Sequence, residues 1–528
     1  MPLRTFLDEF KSYEEAREKF KWSDRWKVFD GNKDNFNIAH ECVDRHPKED
    51  VAIRIKFADD RREEIYKFKE FSEATSQFAN FLAGRGIEKG DRVALLLHPR
   101  FEFYVGMFGT FKRGAIVIPC SPLFGPEAVA YRLEKGGAKA ILTTKDKTDL
   151  IPEETKKKLN LQIIYADNLL DEISKESTEF TPNTTANDMA MYQFSSGTTG
   201  APKIVNYRHG AITVAAPFVR FAVGITADDN YFCPSSPAWG HGIWYGTIAP
   251  LIFGVAIGAY SGKFDPDVCL EALQNFEITN ISAIASHYRL MVTSPNVDKY
   301  KLKLKKLTYT GEAMPKDIIE LIQKKWGVTP YVLYGTTEVG PLTCDFAGFE
   351  NWKPKPGSLG KPSIGSEVEV IDEEGNICPP GKVGQMAIKR GDKWIRVGDL
   401  VYKDEDGYFW YVGRADDVII SAGYTIGPIE VEEAIMKHPA VQECAVVGSP
   451  DKERGNIVKA FIKVKEGYTP SPELAEEIKE FVKDKLSKHE YPREIEFIDE
   501  LSKTPDGKIR RKVLREREIE RKKKMGVI

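Results

Sequence analysis

From about Phe71 to Lys263 the chain alternates between two hydrophobic periods. Segments such as FSEATSQFANFLAGRG, FEFYVGMFGTFKRG and PEAVAYRLEKGG are amphipathic at helical spacing and end in glycine, the residue that most readily closes a helix in a left-handed conformation. Between them lie short unbroken apolar runs, RVALLL, AIVIP and AKAILTT, as expected of strands buried on both faces. Helix and strand in alternation predict βαβ units and a mostly parallel sheet with helices on both sides. A second series runs from Asp267 to Tyr334, through ALQNFEITNISAIASHYRLMV, KLTYTG and VTPYVLYG. After about Gly357 the texture changes to strands separated by glycine turns (SEVEVIDEEGN, GQMAIKR, DGYFWYVGR), and Ile429 to Leu514 reads as a compact α+β unit. The expectation is an α/β chain with a large N-terminal domain, residues 1–415, and a small α+β C-terminal domain, residues 416–528.

One stretch departs from this alternation. Tyr231 to Gly262 contains no Lys, Arg, Asp or Glu, and WYGTIAPLIFGVAIGAY within it approaches the length of a membrane span. Gly246, Pro250, Gly254 and Gly258 interrupt it and no basic anchor flanks it, so a buried helix followed by a buried strand is expected rather than an integral membrane segment.

Composition narrows the class. A chain of 528 residues, 42% hydrophobic and 29% charged, suits a soluble globular protein of several domains. Its 76 Lys+Arg against 79 Asp+Glu give a net charge of -3, so no global basic field exists for nucleic acid and any anion must be gripped locally. The C-terminal REREIERKKK mixes signs and reads as a solvated helix end. The seven cysteines (Cys42, Cys120, Cys233, Cys269, Cys344, Cys378, Cys444) form no CxxC pair, which argues for a reducing compartment and against a disulfide framework or zinc knuckle. The N-terminus is too charged for a secretory signal, and a cytoplasmic location is expected.

The candidate chemistry starts at Ser195-Ser196-Gly197-Thr198-Thr199-Gly200-Ala201-Pro202-Lys203, after the apolar run MAMYQF. Small residues let the backbone turn its N–H groups inward, hydroxyls add donors and the lysine adds a point charge, which together make a phosphate cradle. The order is not that of a Walker loop, since Lys203 follows Gly200 by three residues behind a proline.

Further motifs follow in a fixed series. KRGAIVIPCSPLFGPEAVAYRL precedes the loop; Tyr309-Thr310-Gly311-Glu312-Ala313, Tyr334-Gly335-Thr336-Thr337-Glu338, Trp394-Ile395-Arg396-Val397-Gly398-Asp399, Gly413-Arg414-Ala415-Asp416-Asp417 and Lys503-Thr504-Pro505-Asp506-Gly507-Lys508 come after it. Over roughly residues 35 to 515 the chain resembles the adenylate-forming family of acyl-CoA synthetases, peptide-synthetase adenylation domains and luciferases, and within it the medium-chain acyl-CoA synthetases. The resemblance implies stacked mixed sheets with helices plus a β-barrel-like part, and a small mobile C-terminal lid turning about Asp416. It implies ATP, CoA and a small carboxylic acid as substrates, Mg²⁺ as cofactor and two steps, formation of an acyl-adenylate and its capture by the CoA thiol. It admits a homodimer.

What the resemblance assigns to single residues is as follows. Ser195 to Gly200 and Lys203 hold phosphates, and Glu338 with Thr198 holds the metal. Gly311, Glu312, Ala313 and Tyr334 form the adenine shelf, Gly335, Thr336 and Thr337 belong to the same ATP/AMP site, Asp399 and Arg414 bind ribose, and Lys508 serves the adenylation step. Gly423, Tyr424, Arg454, Tyr491 and Arg493 match CoA-contacting positions. Two positions depart from the family pattern: Ile204 stands where a glycine is common, and Thr425 where an arginine is common. The acyl pocket is expected from Trp239, His241, Trp244 and Gly335; acetate synthetases carry a tryptophan where this chain has Gly335, which implies an acid larger than acetate, medium-chain, branched or aromatic. The alternatives are an adenylating ligase with another acceptor, a short-chain or hydroxy-acid CoA ligase, and a catalytically inactive binding module.

Overall fold

The apolar runs of the first series become neighbouring strands of one six-stranded sheet, in the order Gln162–Tyr165, Ala140–Thr143, Arg92–Leu96, Ile116–Cys120, Met189–Ser195 and Lys203–Arg208. The first five run parallel, and Lys203–Arg208 returns antiparallel to Met189–Ser195. In this computed structural model the chain is described apart from residues 1–2, 196–201, 313, 337–338, 416, 422–423, 484–490, 504–508 and 528; for Ser195, Tyr424 and Thr425 only the backbone is described. Two compact units emerge, Met1–Ser366 and Glu367–Ile528.

The crossover helices of the first unit are those expected from the periodicity. Phe101–Arg113 and Pro126–Gly136 end at Gly114 and Gly137, both left-handed, with φ of 76° and 64°. Phe101–Arg113 is apolar almost all round and buried to match. It lies against the sheet because residue 106 is glycine: a Cβ there would stand 2.5 Å from Leu142 Cδ2.

The second series builds another six-stranded sheet, ordered Lys361–Pro362, Gly340–Cys344, Pro330–Thr336, Lys306–Thr310, Asn280–Ile284 and Tyr231–Phe232. Its last four strands are parallel and deliver their carboxyl ends to one edge, where ligands bind in open α/β sheets. The uncharged stretch forms short helical turns over Gly240–Ile252 and the buried strand Ile257–Ser261, which joins Val51–Phe57 and Glu63–Lys67 in a three-stranded sheet. Among the described residues, no helix is long and apolar enough to cross a membrane.

The second unit opens with a four-stranded antiparallel meander, Val368–Ile371, Gly384–Arg390, Lys393–Lys403 and Phe409–Arg414. A short hairpin, Ile419–Ser421 with Tyr424–Ile426, follows. A three-stranded sheet, Val441–Asp451, Gly455–Val464 and Glu494–Phe497, then packs with the helices Pro428–Met436, Pro472–Lys483 and Arg511–Lys524.

The last helix corrects the solvated-tail reading. Glu518 is fully buried; it accepts from Ser449 Oγ at 2.8 Å and from Lys459 Nζ at 2.6 Å, while Lys459 also reaches Glu496 at 2.7 Å. Arg521 pairs with Glu518 and Glu494, and Lys522 with Glu494. A mixed-sign sequence thus docks one face onto a strand that carries a buried lysine, with Arg521 and Lys522 committed to carboxylates of the same unit.

Candidate active site

The phosphate-cradle segment is the connection of a hairpin. Ser195 is paired directly with Lys203, and Phe194 with Ile204. Residues 196–201, including Thr198, Thr199 and Gly200, lie outside the described residues. Their return is fixed at Pro202, whose carbonyl accepts from Tyr131 Oη at 3.0 Å. Tyr131 belongs to the helix Pro126–Gly136 of the early motif and its ring meets Phe194 edge-on, so that motif buttresses the hairpin. Lys203 is exposed, free to meet an anion at the surface.

On the other side of the hairpin strand lies the acyl-pocket segment. Trp239 caps the short helix Gly240–Ile243 and its ring meets Phe124 edge-on at 5.4 Å. His241 bridges two hydroxyls, Nδ1 to Ser235 Oγ at 2.8 Å and Nε2 to Ser282 Oγ at 2.9 Å. Burial, with a small contribution from His287, pushes its pKa down to about 3, so the imidazole is neutral and donates through one nitrogen while accepting through the other. Trp244 begins a turn of π-helix and packs on Tyr207 at 4.8 Å.

Ser282 carries this arrangement to the second sheet. In the parallel register Ile284 is opposite Thr310 and Tyr309 opposite Val332, so continuing the ladder by two residues brings Gly311 level with Tyr334. Gly311 has φ 95°, a conformation that suits glycine, and faces Ile284. Glu312 is exposed beside it. Tyr334, Gly335 and Thr336 end the next strand, with Gly335 opposite Pro341 and Thr336 opposite Gly340. Gly335 is glycine for a reason of packing as well: a Cβ there would lie 2.4 Å from Gly340 O and 2.9 Å from Pro341 Cα. Ala313, Thr337 and Glu338 lie outside the described residues.

In the second unit Asp399 and Arg414 are register partners on adjacent strands, with Arg414 Nη1 3.2 Å from Asp399 Oδ1. Tyr411 Oη donates to the same carboxylate oxygen at 3.4 Å, and burial beside Asp399 drives the phenol pKa well up, keeping it a donor. The CoA candidates are spread over one module. Arg454 sits in the turn joining Val441–Asp451 to Gly455–Val464, held by its own N–H to Asp451 Oδ1 at 2.9 Å. Arg493 stacks on Tyr491 at 5.2 Å, and its N–H bonds Val458 O in the neighbouring strand. Gly423 and Asp416, the expected hinge, lie outside the described residues, as does Lys508; Tyr424 is placed by its backbone, opposite Ser421. The segment holding Lys508 is closed at its feet by a bridge between Lys503 and Ile509.

The Ser/Gly/Thr hairpin and the parallel strand ends lie within residues 39–392, which an "AMP-binding enzyme" family model matches, and its "AMP-binding enzyme C-terminal domain" matches residues 430–508. The chain belongs to this adenylate-forming family. It is 34% identical to an acetyl-coenzyme A synthetase of Bacillus subtilis, over 96% of this chain and 95% of that one. It is 32% identical to the mitochondrial acyl-coenzyme A synthetase ACSM3 of Rattus norvegicus, over 96% and 94%. The structure of the anthranilate CoA ligase AuaEII in complex with anthranoyl-AMP superposes with a TM-score of 0.82 at 26% identity, covering 94% of this chain and 99% of that one. Within the family the chain stands with the AMP-forming acyl-CoA ligases, acid–thiol ligases whose substrates include ATP and CoA.

Several residues of this AMP-binding enzyme escaped the motif reading. Ser235 and Ser282 orient His241, and Tyr411 supports Asp399, yet none of them lies in a distinctive motif. Gln193 did leave a signal, as the polar residue within MAMYQF, and it is 3% exposed. Among the described residues no group of three or more His, Cys, Asp or Glu side chains could hold a metal, and Thr198 and Glu338 fall outside them.

Proposed function

We propose that this acyl-CoA ligase activates a carboxylic acid larger than acetate. The observation that carries this reading is Gly335. The backbone of Gly340 and Pro341 comes so close that no side chain fits at 335 without moving the hairpin, so the tryptophan that would close the pocket to small acids has no counterpart there. Trp239, His241 and Trp244 bound the rest of the pocket, and a neutral His241 adds no charge to repel or bind the acyl tail.

In the first step the acid's carboxylate attacks the α-phosphorus of ATP and pyrophosphate leaves; both reactants are anions, so positioning and charge neutralisation dominate. Lys203 and the Ser195–Gly200 segment hold the outer phosphates, and Asp399 takes the ribose hydroxyls with Arg414 beside it. Gly311 and Tyr334 flank the adenine, and Lys508 neutralises charge on the carboxylate and α-phosphate as they meet. The Glu338 carboxylate and Thr198 hydroxyl are hard oxygen donors of the kind Mg²⁺ takes. When bound there, the ion would offset phosphate charge. In the second step the CoA thiol attacks the acyl carbonyl and AMP leaves. Arg454 sits in an exposed turn and Arg493 over the Tyr491 ring, and guanidinium groups so placed suit the phosphates of CoA. The C-terminal domain, from Asp416 onward, exchanges faces between the steps. Seven unpaired, buried cysteines support a reducing, cytoplasmic setting.

The test is a panel of acids from acetate to decanoate, with branched acids and benzoate, assayed for ATP- and CoA-dependent AMP formation. Best use of acetate would refute the size assignment, and AMP release without CoA consumption would favour another acceptor.

A further inference from the structure

Two buried polar atoms in the wall of the acyl segment have no hydrogen-bond partner: Gln193 Oε1, an acceptor, and Trp244 Nε1, a donor. Their placement brings them to one interface. Gln193 lies opposite Val205 in the hairpin ladder, and Met191 opposite Tyr207; with side chains alternating along a strand, Gln193, Val205 and Tyr207 share one face of the sheet. Gly240 lies over Gln193, since a Cβ at 240 would stand 3.5 Å from Gln193 Nε2 and 3.9 Å from Oε1. Trp244 is four residues further along the same helical turn and packs on Tyr207. Gly240 thus covers the Gln193 amide with backbone alone, and no protein group meets the Oε1 acceptor.

An orphaned buried acceptor or donor costs more than a satisfied pair returns, so two in one packed interface point to a ligand group that meets both. A hydroxyl can do so, its O–H donating to Gln193 Oε1 and its oxygen accepting from Trp244 Nε1–H. A methyl group or an alkyl chain meets neither, and an ammonium cannot accept. We infer that Gln193 and Trp244 select a hydroxy-substituted carboxylic acid, with the hydroxyl carried on the acyl chain away from the carboxylate. This rests on the acyl-CoA ligase reading and specifies its substrate class.

The experiment compares kcat/KM for matched pairs, each unsubstituted acid against its terminal and penultimate hydroxy derivatives from four to eight carbons, by ATP- and CoA-dependent AMP formation. The wild-type enzyme is expected to prefer one hydroxy acid over its parent by about tenfold or more, the lower range for an unmet buried hydrogen bond. Gln193→Leu and, independently, Trp244→Phe should each bring that ratio towards one; the second keeps an aromatic ring on Tyr207 and guards against a folding defect in the first. Equal use of parent and hydroxy acids across the series overturns the inference while leaving the ligase assignment intact, as does a preference that both variants retain. Absence of AMP formation with every acid overturns the ligase reading and this inference with it.

Discussion

Arg414 Nη1 lies 3.2 Å from Asp399 Oδ1 across two antiparallel strands, with the aspartate side chain 6% exposed and the arginine side chain 33% exposed. A nearly buried carboxylate held on one side by a guanidinium and a phenol is kept in one orientation. Asp399→Asn should therefore raise KM for ATP by about 10- to 100-fold, the range of a charge-assisted hydrogen bond of roughly 1.5–3 kcal/mol, with little change in KM for the acid. ATP–pyrophosphate exchange kinetics would measure it, and an unchanged KM for ATP would remove Asp399 from the ribose site.

Lys508 is expected to separate the two half-reactions. Lys508→Ala should abolish acid-dependent ATP–pyrophosphate exchange but leave the conversion of supplied acyl-adenylate to acyl-CoA largely intact. Retained exchange would dismiss this lysine from the adenylation step.

Gly335, proposed to open the acyl pocket, also lets the hairpin close, which makes its substitution more than a change of pocket size. Gly335→Ala should lower stability by about 1–3 kcal/mol, as overpacking does, because the added Cβ meets the Gly340 and Pro341 backbone. Thermal denaturation alongside the acid panel distinguishes this from a pure specificity change; an unshifted melting temperature would contradict the close approach.

Asp345 has a carboxyl that burial raises to about 7, although it accepts from Val332 N and Trp352 Nε1, both at 3.0 Å. With the folded-state pKa above the unfolded value, its contribution is complete below pH 4 and is lost as pH rises towards 7. Asp345→Asn should thus gain on the wild type in relative stability between pH 5 and pH 8. Parallel stability curves for the two proteins over that range would show that the carboxyl does not titrate there.

Glu518 has the opposite sign. Hydrogen bonds from Arg521, Lys459 and Ser449 outweigh its desolvation and hold its pKa down to about 2, so its stabilisation is present above pH 4.5 and fades as pH falls towards 2. Glu518→Gln should destabilise the second unit by about 2–3 kcal/mol at neutral pH, somewhat less than an unpaired buried charge costs, because Lys459 keeps Glu496. Urea denaturation at pH 7 and pH 4 tests both the size and the sign.

Much of the fold was legible because its signals are local. Glycines 114 and 137 end helices where the periodicity placed stops, and the uncharged 231–262 stretch became buried helix and strand. The ordered motifs likewise located the hairpin, the shelf and the Asp399–Arg414 strands. What stayed hidden depends on partners distant in sequence. Glu518 looks like any acid in a charged tail until Lys459 and Ser449 arrive from another strand, and Ser282 becomes the support of His241 only through the register of the second sheet. Gln193 lay between these cases: its polarity was visible, but its unmet acceptor appears only once Gly240 is packed over it.

The pairing of Ser195 with Lys203 also bears on the thermodynamics of nucleotide capture. Because the sheet already brings Ser195 and Lys203 together, a phosphate proposed to sit between them would not have to offset the entropy of joining those two ends. An insertion within residues 196–201 should therefore lower hairpin stability by logarithmic increments per added residue and leave that closure entropy out of ATP binding, whereas breaking the Ser195–Lys203 rung would add it to the cost of holding ATP.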